Sequence, residues 1–142
     1  MHEVVSERQV HEQADLMSVV EPSQSTITKL ADVVRHNIAN AVFIRLYAVL
    51  AAENLDDADP LHDFFVERYA TARELVILSL RASKAAGEVR ADVAEEQIAC
   101  EVVAMLMGLE MQWLMDPDQV DLVARVDAYA HTLTEQLAPE ER

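Results

Sequence analysis

The side chains that could do chemistry are five histidines, one cysteine and a few carboxylates set into otherwise apolar stretches. A helix gathers metal ligands only when they recur three or four residues apart, as in Glu-x-x-His or His-Glu-x-x-His, because that spacing puts them on one face. His2, His11, His36, His62 and His131 form no such arrangement. Glu7 and His11 stand at i, i+4, which reads as a solvated contact. Cys100 has no second thiol to pair with, so neither a disulfide nor a multi-cysteine zinc site is available. With Gly87 and Gly108 the only glycines, the chain builds neither a nucleophile elbow nor a phosphate-cradling loop. Glu53, Glu101 and Glu110 lie on apolar helical stretches and are the candidates for an acid/base pair. Each is expected at a helix edge, facing water or meeting an arginine. No catalytic residue, metal or cofactor is expected, and the chain reads as a non-enzymatic protein.

Binding a small molecule asks for less: large apolar walls and a few polar groups to orient the guest. The residues that interrupt apolar faces in that way are Arg45 and Tyr47, Phe65 and Tyr69, and Gln112 and Trp113, with Met105 and Leu109 beside the last pair. They suit an unidentified small, mostly apolar ligand. Phe43, Phe64, Phe65 and Trp113 compete with this reading as ordinary core, since buried aromatics usually fill space. Met105, Met107, Met111 and Met115 are equally natural as adaptable filler.

Charge narrows the partners. The formal net charge is −15 over 142 residues, and the 11 basic residues are scattered with no two adjacent. A phosphate backbone is repelled by such a surface, so this chain is not expected to bind nucleic acid itself. The unpaired cysteine suggests a reducing, cytoplasmic setting. Uninterrupted apolar runs such as 46–52 and 102–109 fall short of a membrane span.

Helices must position these residues. Gly (2) and Pro (4) are scarce, and Ala, Leu, Val and Glu abound, which favours an all-α bundle of about six helices. Residues 1–20 read as a leading or connecting helix with Val5, Val10, Ala14 and Met17 at roughly helical spacing; residues 21–142 read as the domain proper. Ser25 or Thr26 can cap the next helix, which Asn40 interrupts before Val42–Glu53. Asp59 reads as an N-cap with Pro60 at the first helical position, opening a helix from Leu61 to Ala86 that Gly87 stops. Asp92 and Glu95 have capping-box spacing for a helix that reaches Met115. A last helix is expected over about 118–137, with Leu122, Val126, Tyr129, Leu133 and Leu137 in one stripe.

The helix before it has two apolar faces. At 100° per residue Ile98, Val102, Met105, Leu109 and Trp113 form one stripe, and Cys100, Val103, Met107, Met111 and Leu114 form another on the far side. One core cannot cover both, so a second subunit is expected, with the last two helices forming half of an intersubunit four-helix bundle. The interface is assigned to Ala104, Gly108, Met111, Met115, Leu122, Val126, Tyr129 and Leu133, with close backbone approach at Gly108.

Four segments resemble the C-terminal domain of the TetR family of bacterial transcriptional regulators: Val42-Phe-Ile-Arg-Leu-Tyr-Ala-Val-Leu-Ala-Ala-Glu53, Asp59-Pro-Leu-His-Asp-Phe-Phe-Val-Glu-Arg-Tyr69, Gly87-Glu-Val-Arg-Ala-Asp92 and Gly108-Leu-Glu-Met-Gln-Trp-Leu-Met-Asp-Pro117. The resemblance covers about residues 25–137. It implies that the middle helices enclose a ligand cavity, that the last two pair with those of a second subunit, and that a helix-turn-helix contacts the operator. No helix-turn-helix is recognised before position 25. The expected function is therefore the sensing and dimerising half of a TetR-like repressor, touching DNA only through another segment. The alternative is a purely structural homodimerisation module.

Overall fold

The computed structural model describes residues 27–141 as five α-helices, with no strand among those residues. They are α1 (Leu30–Ile38), α2 (Ala41–Ala52), α3 (His62–Ala85), α4 (Glu95–Met115) and α5 (Leu122–Leu137). The leading helix expected over residues 4–20, the Glu7/His11 pair and the Ser25 or Thr26 cap lie outside the described residues.

The longest packing seam runs between α3 and α4, and the next between α1 and α5. One apolar core lies where these seams meet. It is filled by Leu30 and Val34 of α1, Val76, Ile77 and Leu80 of α3, Ala99 and Val102 of α4, and the inward stripe of α5. Complete burial of a side chain such as Leu80 stabilises the fold by about 1.5–3 kcal/mol. By contrast α2 contributes no buried residue, although nearly every position on it is apolar.

Each helix boundary has a local cause. The chain breaks at Asn40 (φ −119°, ψ 41°), as the sequence suggests, separating α1 from α2. Asp59 does not cap α3: its carboxylate accepts from the Asp56 amide (2.9 Å), the His62 amide donates to the Asp59 carbonyl (3.2 Å) in a turn through Pro60, and α3 starts just after it with Leu61 at the cap position. Asn54 fixes this corner by donating to the Leu50 carbonyl (2.7 Å) and accepting from the Leu61 amide (3.0 Å). Gly87, at φ 76°, supplies the left-handed turn that ends α3. The Asp92/Glu95 capping box does not form. Ala94 occupies the cap position, and Glu95 instead accepts from Lys84 (3.1 Å) and Arg81 (2.9 Å) of α3, which hold its carboxyl below the usual range. Residues 116–121 form a connection rather than the first turn of the last helix, and Asp121 caps α5 by accepting from the Ala124 amide (3.0 Å).

The Gly-x-Val-Arg-x-Asp loop has a structural task. The Arg90 amide donates to the Leu137 carbonyl (2.9 Å), and its guanidinium donates to the carbonyls of Gln136 and Ala138. A helix leaves its last carbonyls unpaired and carries partial negative charge there, so a cation satisfies both demands. Replacing Arg90 with alanine is expected to lower stability by about 1–2 kcal/mol. A urea midpoint unchanged from the parent chain would show that water replaces these bonds without loss.

By length and average composition α4 could cross a membrane, with a mean hydropathy of 1.5, although its unbroken apolar runs are short. It carries Glu101, Glu110 and Gln112 and packs along α3 and α5, which is the setting of a bundle helix.

Candidate functional site

Two neighbouring i, i+4 ladders on α3 build the first of two sites. Phe64 and Arg68 form one and Phe65 and Tyr69 the other, so both face the same side of the helix. Tyr47 comes to them from α2. Its ring lies 6.4 Å from Phe64 at an interplanar angle of 14°, and 6.5 Å from Phe65, nearly perpendicular at 83°. Phe64 and Phe65 meet edge to face at 5.0 Å, and Tyr69 continues the cluster 6.3 Å from Phe65. The Arg68 guanidinium sits 4.3 Å above the Tyr47 ring, a cation–π contact that locks α2 onto α3.

Glu110 of α4 completes this group. Loss of hydration pushes its carboxyl up to about 7, with the Arg68 charge pulling the other way. Burial likewise raises the Tyr69 phenol, opposed by Arg68 and reinforced by Glu110. The arrangement offers aromatic walls, a guanidinium, a phenol and a carboxyl that changes charge near neutrality. Such a set can orient a mostly apolar guest that has a few polar atoms.

The second site is a groove of about 440 Å³ between α4 and α5, open to solvent and lined by Glu101, Ala104, Met105, Gly108, Leu109, Gln112 and Tyr129. Burial raises the Tyr129 phenol, and Glu101 adds to the effect. A side chain added at Gly108 would meet nothing within 4 Å in this chain, so the small residues Ala104 and Gly108 form an open step on α4. Beyond the groove the outer face of α4 is wet, with Met107 and Met111 each 42% exposed and Met115 79% exposed.

The structure divides the sequence-derived ligand set. Tyr47, Phe65 and Tyr69 come together, whereas Met105, Leu109 and Gln112 lie in the groove with Ala104, Gly108 and Tyr129. Trp113 packs against the core. Arg45 reaches away from the rings to the Leu114 carbonyl at the end of α4 (3.5 Å). Among the residues assigned to an interface, Leu122, Val126 and Leu133 require correction. They are 1%, 0% and 4% exposed within a single chain, because the stripe on α5 faces this chain's own core. Ala104, Gly108, Met111 and Met115 remain on the surface. Sequence reasoning passed over Arg68, whose signal was its i, i+4 relation to Phe64, and treated Phe64 only as core.

Residues 56–138 match the family model of the BetI-type transcriptional repressor C-terminal domain. The chain belongs to the TetR family of transcriptional regulators. The matched span takes in α3, α4 and α5, and so both the ring cluster's α3 side and the whole groove. A TetR-type C-terminal domain is a regulatory element. No curated protein and no solved structure matches the chain.

Proposed function

We propose that this chain is the small-molecule-sensing and dimerising domain of a TetR-like cytoplasmic repressor, with no catalytic activity. The observation that supports sensing is the ring cluster of Tyr47, Phe64, Phe65 and Tyr69, flanked by Arg68 and Glu110, at the meeting of α2, α3 and α4. A guest that enters between the rings changes how α2 sits on α3 and how α3 sits on α4. It thereby shifts the geometry of any second subunit held on the outer face of α4. Such coupling needs a guest with different affinities for two arrangements, which a weakly buried helix like α2 provides more readily than a core helix. Contact with an operator belongs to another segment of the regulator, since the −15 charge of this chain opposes it.

The test is a thermal-shift screen of apolar and aromatic compounds, with Trp113 fluorescence as a second readout. A true ligand raises the melting temperature by linkage. Its effect should fall at least about tenfold in apparent affinity when Tyr69 becomes alanine, a loss of about 1.4 kcal/mol. Hits whose affinity ignores Tyr69 place the guest elsewhere. A second reading, a structural dimerisation module without a ligand, draws support from the direct contact of the rings, since Phe64 and Phe65 already touch at 5.0 Å and Phe65 is 4% exposed. A screen without hits moves the assignment there.

A further inference from the structure

The outer face of α2 belongs to neither site. Val42, Leu46 and Val49 recur at i, i+4 and i+7, so they form one stripe along the helix, and they are 76%, 42% and 49% exposed. Leu55, in the loop after the helix, is 77% exposed as well. A contiguous apolar surface of this kind marks an interaction site more often than it marks simple surface composition.

Its charge says what kind of partner fits. Glu53 lies on the same stripe, one turn beyond Val49, and Asp56 and Asp57 follow beside Leu55; all three are exposed. Between Arg45, near the Val42 end of the stripe, and Arg68 the chain carries six carboxylates and no lysine or arginine. The last turn of α2 has no basic residue to offset the negative end of its helix dipole. One end of an apolar stripe is therefore strongly acidic. A basic partner is attracted to that end, whereas a second copy, itself of net charge −15, is repelled overall. We propose that the outer face of α2 and the loop after it dock a basic amphipathic helix of a partner protein, with apolar residues along Val42, Leu46 and Val49 and cationic residues over Glu53, Asp56 and Asp57. This is helix-on-face recognition, with contacts repeating at helical spacing.

The probe is a fluorescein-labelled synthetic peptide of leucine and lysine, with leucines at i, i+4 and i+7 and lysines gathered at one end, titrated with the whole chain and followed by anisotropy. The double variant Leu46→Asp, Val49→Asp should weaken binding at least about tenfold, because the apolar half of the surface is lost. The charge reversal Glu53→Lys, Asp56→Lys should weaken it comparably and flatten its salt dependence. The same reversal made elsewhere, Asp118→Lys with Glu140→Lys, should change it less than about twofold. All these positions are exposed, and circular dichroism checks that each variant keeps its helices. No binding, equal binding of the glutamate version of the peptide, or equal weakening by the distant reversal would overturn the proposal. If Leu46→Asp, Val49→Asp instead splits a dimer of the chain, the occupant is a second copy and the proposal is likewise overturned.

Discussion

Gly108→Leu is expected to break a dimer of this domain while leaving each chain at least as stable as before. The two effects separate because of where Gly108 stands. A Cβ there meets nothing within 4 Å, so leucine fits the single chain without displacing a neighbour. Leucine is also the better helix former by roughly 0.8–1 kcal/mol in a helix interior. At an interface the same position is a step between Ala104 and Met111 that lets a second helix approach closely. Filling it overpacks the contact by about 1–3 kcal/mol. That corresponds to a dissociation constant raised roughly 5- to 150-fold. Light scattering over a dilution series reads the association, and thermal unfolding at low concentration reads the fold. The parent chain should exceed its monomer mass of 15.9 kDa, and the variant should return to it at concentrations where the parent does not. A parent that stays at 15.9 kDa at micromolar concentration sinks the dimer outright. A variant that associates as well as the parent moves the interface off this face of α4. Added salt should tighten the dimer, because two chains of −15 repel and salt screens that repulsion.

The interface expected from the sequence also took in α5, and there the fold differs. Periodicity finds the stripe Leu122, Val126, Tyr129, Leu133 and Leu137, but a stripe says only that one face is dry, not what dries it. In the fold α1 lies along α5, and Leu30 and Val34 share its core, so the stripe is used within the chain. The two faces of α4 were legible in part. Val102 is fully buried while Met107 and Met111 stay exposed, but Met105, on the stripe with Val102, is 41% exposed because it lies in the open groove toward α5. Helix existence and breaks followed from Asn40, Asp59-Pro60, Gly87 and Asp116-Pro117, which act through local backbone chemistry. The Asp92/Glu95 box failed because Lys84 and Arg81, distant in sequence, offered Glu95 charged partners. The ring cluster was half legible. Tyr47, Phe65 and Tyr69 stood out as aromatics on apolar helices, but the stacking of Arg68 on Tyr47 depends on how α2 crosses α3, which residue spacing does not encode.

Glu110 is the second place where a large effect is expected, and its sign is fixed by the environment. In the unfolded chain a glutamate titrates near 4.5, whereas burial between α4 and α3 raises Glu110 to about 7. The folded state therefore holds the proton more tightly than the unfolded state. Stability from the neutral acid is fully present below about 4.5 and is lost as pH rises through about 7. The difference between those limits is worth up to about 3 kcal/mol. Glutamine is close in shape to the neutral acid and cannot ionise, so Glu110→Gln should match the parent near pH 4 and exceed it in stability at pH 8. Urea midpoints for both proteins across this range give the comparison, and histidine titrations common to the two cancel in the difference. Parallel curves would mean that Glu110 keeps an ordinary carboxylate in the fold, hydrated or fully compensated by Arg68. A variant less stable than the parent at pH 8 would mean that the ionised carboxylate holds α4 to Arg68 on α3. The same linkage reaches ligand binding: a guest that further dries the Tyr47, Phe65 and Tyr69 cluster raises the Glu110 carboxyl again and takes up a proton as it binds. Its affinity should then fall between pH 6 and pH 8 in the parent chain and stay level in Glu110→Gln.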